Sequence, residues 1–390
     1  MPICRTLLTR VAVGAALSLV AVTGLGACGG GSSAKAGAAT VRYTLGKGGC
    51  TPSTTSVAAG PTTFSVSNTD GDQINEAELV AGSRILAERE NLTPGLDGTF
   101  SYDLTPGTYA LKCLGGSKQE RQSVALTVTA AGVPAAASSR PAADAALLAR
   151  ASAGYSTYAR AQAAQLVTAT EALVAAIDKG DLGQARALYV AARVPYERIE
   201  PVAESFGTLD PSIDERSADV ADPASWTGFH KVEQVLFQRG TTRALAPVTT
   251  RLVADVGRLR TLVGTTTFQP AQLGNGATTL LDEVAKTKIT GEEEAYSHVD
   301  LVDFQANVDG ARQAFTLLEP ALRQTAPAMA TQITERFAAV DAALQALRTG
   351  GGPTDFKPYS AVTDADRKGF TAVVDALAEP LAQVAGTVVS

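Results

Sequence analysis

Between Ala130 and Pro141 the chain changes its periodicity, and that change limits the folds open to it. Residues 41–129 are rich in Thr, Ser, Val and Gly and run in short alternating stretches. The alternation marks candidate strands at 63–67, 98–104, 108–113 and 123–128, separated by turn residues such as Asn68-Thr69-Asp70-Gly71 and Pro106-Gly107. Short strands between such turns predict an all-β sandwich or small barrel. The Pro/Ala/Ser stretch 130–141 reads as a linker. Beyond it, residues 142–390 carry Ala, Leu, Val, Gln, Glu and Arg at helical period. Candidate helices are 143–178, 182–205, 226–237, 247–263, 270–286, 301–319, 327–347 and 361–384. Helices of this length need packed partners, so the second part predicts an all-α bundle. Pro195 removes a backbone donor inside the second helical pattern and predicts a kink there.

The first residues point to export. Arg5 and Arg10 precede an apolar stretch, 11–22, which is shorter than the ~18 residues a membrane span needs. Leu25-Gly26-Ala27-Cys28 follows and reads as a lipobox, giving a signal peptide over 1–27, lipid on Cys28 and a flexible tether over 28–40. A plain secretory signal cut after Ala27 is the rival reading. Removing 1–27 takes two arginines and no acid, so 33 basic residues become 31 against 39 acidic ones, a net charge of −8. That balance argues against nucleic acid as a partner and leaves the lipid anchor as the only reason to meet a membrane. The expected location is extracytoplasmic, anchored to the cell membrane.

Histidine occurs only twice in 390 residues, and both copies sit among carboxylates. His230 and Glu233 are spaced i, i+3, which places imidazole and carboxylate on one helical face. Glu197 and Glu200 share that spacing, and Glu292, Glu293 and Glu294 precede His298 and Asp300. Bundles build metal sites from inward carboxylates and histidines of this kind, and the donor set suits iron or zinc. Two plainer readings compete with it: His230 as a satisfied core histidine, and the glutamate run as a solvated helix start.

Four segments, in order, carry a family resemblance: Tyr196-Glu197-Arg198-Ile199-Glu200-Pro201, Trp226-Thr227-Gly228-Phe229-His230-Lys231-Val232-Glu233, Gly291-Glu292-Glu293-Glu294-Ala295-Tyr296-Ser297-His298, and Asp303-Phe304-Gln305-Ala306-Asn307. They resemble the imelysin-like domain of EfeO-type iron-uptake lipoproteins, and the preceding β region resembles the cupredoxin-like module of the same proteins. The resemblance implies a multidomain chain, a cupredoxin-like sandwich followed by an imelysin-like bundle. It also implies an exported protein that handles ferrous or ferric iron for a membrane permease, often beside a haem-containing, peroxidase-like partner. His230 and Glu233 match its metal motif, with Glu197 or Glu200 and one of Glu292 and Glu293 as further ligands. The same resemblance implies a second metal site, for copper, zinc or ferric iron, drawn from Cys50, Glu76 or Glu78, and Cys113. Read from the residues alone, Cys50 and Cys113 are either a disulfide, as export favours, or thiolate ligands.

Some activities are excluded or weakened. A blue-copper centre needs two histidines and a cysteine, and residues 41–129 contain no histidine. A metallopeptidase of the imelysin-like class remains an alternative, as does a metal-free surface scaffold, yet no His-Glu-x-x-His is present to supply ligands and base together. Serine chemistry lacks a Gly-x-Ser-x-Gly elbow.

Overall fold

Alternating burial builds the first part of the chain. In β1 (Ala39–Gly46), Val41, Tyr43 and Leu45 point inward while Thr40, Arg42 and Thr44 face out, the period of two that a strand imposes. The computed structural model describes residues 38–115, 119–130, 141–220 and 222–390, with the side chain of Glu204 set aside. The expected signal peptide, Cys28 and most of the tether and linker lie outside the described residues.

One sheet has the order β2 (Gly49–Pro52), β1, β4 (Gly60–Asn68), β7 (Asp97–Leu104). The other runs β3 (Ser56–Ala58), β9 (Gln119–Thr129), β8 (Gly107–Gly115), β5 (Glu76–Ala81), β6 (Arg84–Arg89). Neighbours are antiparallel except β1 with β4 and β3 with β9. Phe64 and Phe100 stack in the core with ring centroids 4.8 Å apart. β5 is buried along nearly its whole length, so it lacks the alternation that marks a half-buried strand.

Cys50 on β2 and Cys113 on β8 form a disulfide, Cα to Cα 6.4 Å, that ties the two sheets together. This decides between the two readings of the cysteines. Their sulfurs are bonded to each other and are not thiolate ligands. The register pairs Ala77, not Glu76 or Glu78, with Cys113, so both glutamates lie on the opposite sheet face. Cys50, Cys113, Glu76 and Glu78 therefore do not form one metal site. Glu76 instead brings a carboxylate oxygen within 4.8 Å of oxygens from Glu88 and Glu90.

The second part is helical: α1 (Ala142–Asp178), α2 (Leu182–Glu197), α3 (Glu200–Ala203), α4 (Leu209–Asp214), α5 (Gly228–Glu233), α6 (Ala246–Thr265), α7 (Pro270–Lys286), α8 (Asp300–Thr325), α9 (Pro327–Gln345), α10 (Asp364–Leu381) and α11 (Val384–Val389). In α1 the inward residues Leu148, Ala151, Tyr155, Ala159 and Ala163 recur at intervals of three and four, the stripe of a core-facing helix. The segment Asp364–Val389 is long and apolar enough to cross a membrane, which the sequence reading did not anticipate. Half of its most apolar stretch is buried within this protein, where Phe370, Val374 and Leu377 join the bundle core.

The expected kink at Pro195 is displaced. α2 continues through Pro195 to Glu197 and breaks at Arg198–Ile199. Pro201 accounts for the position, because its ring removes the N–H that would bond the main-chain oxygen of Glu197, four residues earlier. Asn307 on α8 donates to that oxygen instead, at 3.2 Å. The break is also crowded by design: a Cβ at Gly310 would come 2.4 Å from the main-chain oxygen of Arg198, so only glycine lets α8 lie this close.

Sandwich and bundle touch through α7. β7 is an edge strand of its sheet, and the Asn275 side chain donates to Ser101 O at 2.7 Å and accepts from Ser101 N at 3.4 Å. Gln269 donates to Asp103 O at 3.2 Å, and Arg89 pairs with Asp282 at 2.5 Å.

Candidate metal centre

Four elements place charged side chains in one buried volume. The α2–α3 break presents Glu197 and Glu200 toward α8, α5 carries His230 and Glu233, the turn after α7 supplies Lys288, and residues 291–297 supply Glu293 and Glu294. Arg193, Glu197, Glu233, Glu294 and Asp303 have no solvent exposure, and His230, Glu293 and Lys288 almost none. A buried charge survives only when paired, and here pairing is extensive.

Arg193 is the first hub. It contacts Glu197 at 2.5 Å, Glu293 at 3.0 Å, Glu294 at 3.1 Å, Asp303 at 3.3 Å, and also Asp214. Lys288 is the second, donating to Glu200 at 2.7 Å, Glu293 at 3.0 Å and Glu197 at 3.3 Å. Asn307 completes that corner, donating to Glu200 Oε2 at 2.6 Å and Glu197 Oε2 at 2.9 Å. Arg216 reaches Glu293 from a more exposed position, 3.5 Å away.

Gly228 sets the histidine. Its φ of +84° suits glycine alone, and a Cβ there would meet Ile213 O at 2.3 Å. The start of α5 therefore lies directly on the end of α4. His230 Nε2 comes to rest 3.5 Å from Asp214 Oδ1, and Nδ1 3.4 Å from Glu233 Oε2. Glu233 Oε1 accepts from the main-chain N–H groups of Ser297 and Tyr296 at 2.7 and 2.8 Å. A π-helical stretch, Gln234–Gln238, follows α5 at once, a feature common beside functional sites.

The surroundings divide the acids into two groups. Burial works to raise Glu197, Glu233 and Glu293, but each is held below the ordinary carboxylate range. For Glu197 the cause is Arg193 and Lys288, for Glu233 the hydrogen bonds from His230 and the main chain, and for Glu293 chiefly Lys288 and Arg216. Burial pushes Glu200, Glu294 and Asp303 well above that range, with Glu197 adding to the effect at Glu200 and Glu233 at Glu294. Burial also raises Asp300 to about 7. Burial, then Arg193, lowers His230, so its imidazole is neutral and able to ligate. Three overlapping sets of donor atoms lie within 4.8 Å of one another: Asp214, His230 and Glu293; His230, Glu233 and Glu294; Glu197, Glu293 and Asp303.

The imelysin (peptidase M75) family model matches residues 151–384. The chain belongs to the imelysin family. It is also 39% identical over 351 residues to the iron uptake system component EfeO of Escherichia coli K12, a match covering 89% of this chain and 90% of that one, and equally to EfeO of Shigella flexneri. Within the family it is of the EfeO type. Among solved structures, that of a protein described as an iron-regulated protein A precursor from Parabacteroides distasonis aligns with a TM-score of 0.50 at 17% identity, over 65% of this chain and 97% of that one. At that identity the likeness concerns fold alone.

In this imelysin the structure brings together His230, Glu233, Glu197, Glu200 and Glu293. It does not bring Glu292, which is exposed. The turn over 291–297 directs Glu293 and Glu294 inward instead. His298, with φ of +59°, is exposed as well. Sequence reasoning assigned no role to Arg193, Asp214, Lys288, Asp303 or Asn307. Asp303 and Asn307 stand i, i+4 in a segment that carries the family resemblance, a signal that could have found them. Lys288 and Asp214 offer no such signal.

Proposed function

We propose that this protein captures iron outside the cytoplasmic membrane in the cluster around His230 and passes it to an iron permease in that membrane. The observation that carries the reading is the excess of buried carboxylates around a neutral histidine. Glu197, Glu200, Glu233, Glu293, Glu294, Asp300 and Asp303 are buried with Arg193 and Lys288 as the fully buried cations. Carboxylate oxygens with one imidazole suit ferrous or ferric iron. The relatives' name, iron uptake system component, supports the same cargo. Lipid attachment at Cys28 and a haem-containing, peroxidase-like partner belong to the same proposal. A peptidase would need a placed general base, whereas Glu233 spends one oxygen on two main-chain N–H groups and faces His230 with the other.

The test is calorimetric titration of the chain from residue 29 onward with ferrous iron under anaerobic conditions, and separately with ferric citrate. Saturable binding that His230→Ala abolishes supports the reading. Absence of iron binding in the parent, or equal binding in the variant, overturns it.

A further inference from the structure

α6 stands out from the bundle as a basic ridge. Residues 239–281 hold five arginines, Arg239, Arg243, Arg251, Arg258 and Arg260, and one acid, Asp255. That stretch carries +4 while the rest of the chain carries −10, a local excess that the total of −6 hides. Asp255 is buried and pairs with Arg251 and, at 3.1 Å, with Arg258. It shows almost nothing to solvent and instead holds two guanidinium groups that are each more than half exposed. Arg258 and Arg260 lie ~200° apart around the helix axis, yet both are exposed. Only a narrow face of α6, with Leu252, Val256, Leu259 and Val263, is therefore sunk in the core. Leu262, four residues beyond Arg258, is one of two large apolar side chains that are exposed among the described residues.

From this ridge we infer that α6 and the loop before it dock the bundle onto an anionic phospholipid surface. A guanidinium offers a phosphate two N–H groups at once, and a leucine among cations suits the boundary between headgroups and acyl chains. The connectivity of the chain favours a membrane over an acidic protein. β1 opens at Ala39, paired with Thr62, which in turn faces Tyr102 on β7, so the sandwich begins ~10 Å from Tyr102. The next residue, Asp103, accepts from Gln269, four residues past the end of α6. The start of the sandwich and the Leu262 end of α6 thus lie at one corner of the molecule. Cys28 stands eleven residues before Ala39, a reach of up to ~40 Å, which lets a lipid on Cys28 and the ridge meet one bilayer. This placement rests on the lipid attachment proposed above and deepens it by naming the face of the bundle that turns to the membrane.

The chain from residue 29 onward, which carries no lipid, is co-sedimented with vesicles of equal parts phosphatidylcholine and phosphatidylglycerol, and with vesicles of phosphatidylcholine alone. Expected is binding to the mixed vesicles only, weakening as salt screens it. An arginine near an anionic surface contributes about fivefold, so Arg243→Gln/Arg258→Gln/Arg260→Gln should bind ~100-fold more weakly. Arg251 is kept so that Asp255 stays paired, and equal unfolding temperatures check that the variant is folded. Leu262→Ser should also weaken binding. Arg121→Gln/Arg336→Gln/Lys368→Gln removes three exposed cations elsewhere with the same change in net charge, and should bind like the parent. Two triple variants that bind alike overturn the docking face. A parent that does not bind the mixed vesicles overturns it as well, and leaves an acidic protein as the partner of the ridge. Mass spectrometry of the membrane-bound protein reads lipid on Cys28 separately, so failure of the anchor and failure of the docking face are told apart.

Discussion

Asn307 donates to the main-chain oxygen of Glu197 at 3.2 Å, the oxygen that Pro201 leaves without its helical partner. One amide group thereby repairs the helix break and, through the same nitrogen, holds the carboxylates of Glu197 and Glu200 that the break presents. Asn307→Ala leaves these acceptors buried with fewer donors, so a loss of ~1–3 kcal/mol is expected. Urea unfolding of parent and variant measures it, and equal midpoints would contradict the role.

Lys288 is the shared cation of three buried glutamates. Lys288→Met removes one side of a buried ion network, which costs ~3–5 kcal/mol. An added metal ion should restore part of that loss, since binding to the folded state alone stabilises it. Thermal unfolding with and without zinc tests both halves; a variant as stable as the parent without metal would show that Lys288 is dispensable.

Two glycines should respond in opposite directions. Gly310→Ala forces a methyl against Arg198 O and should destabilise by ~1–3 kcal/mol. Gly257→Ala, on α6 with nothing within 4 Å of the added carbon, should stabilise by ~0.4–1 kcal/mol. Denaturation midpoints that move together would refute the close approach of α8 to the break.

Metal binding should strengthen as pH rises. Burial raises Glu200, Glu294 and Asp303 well above the ordinary carboxylate range, so each gives up its proton at higher pH than an exposed acid, and a bound cation favours the ionised carboxylate. Each proton released makes affinity rise about tenfold per pH unit while the group stays protonated in the free protein. Calorimetry in two buffers of different ionisation enthalpy counts the protons. Binding heats that do not depend on the buffer would exclude proton displacement.

The disulfide closes a loop of 63 residues, which corresponds to about 4 kcal/mol in the chain-entropy model. Reduction should lower the unfolding temperature of the sandwich while leaving zinc on His230. Loss of that zinc on reduction would mean the bridge supports the metal centre.

The change of texture at Ala130–Pro141 made the β-then-α order legible, because a solvated strand alternates and a core helix repeats every three or four residues. β5 escaped because it is buried almost throughout, and the run Glu292 to Glu294 could not say which two acids turn inward, since a turn has no fixed period. His230, Glu233 and the Glu197–Glu200 pair were legible through helical spacing. Arg193 and Lys288 were not: cations in a sequence read as surface residues, and only the concentration of acids around them explains their burial.

The contact of Asn275 with Ser101 bears on how the chain survives its own synthesis. An edge strand offers its free N–H and C=O groups to any extended segment that comes by. Here β7 spends part of that edge on an amide from its own bundle, so the finished molecule acts as its own gatekeeper against strand addition. A newly made sandwich, synthesised before α7 follows it, has no such cover and is exposed to aggregation until the bundle arrives.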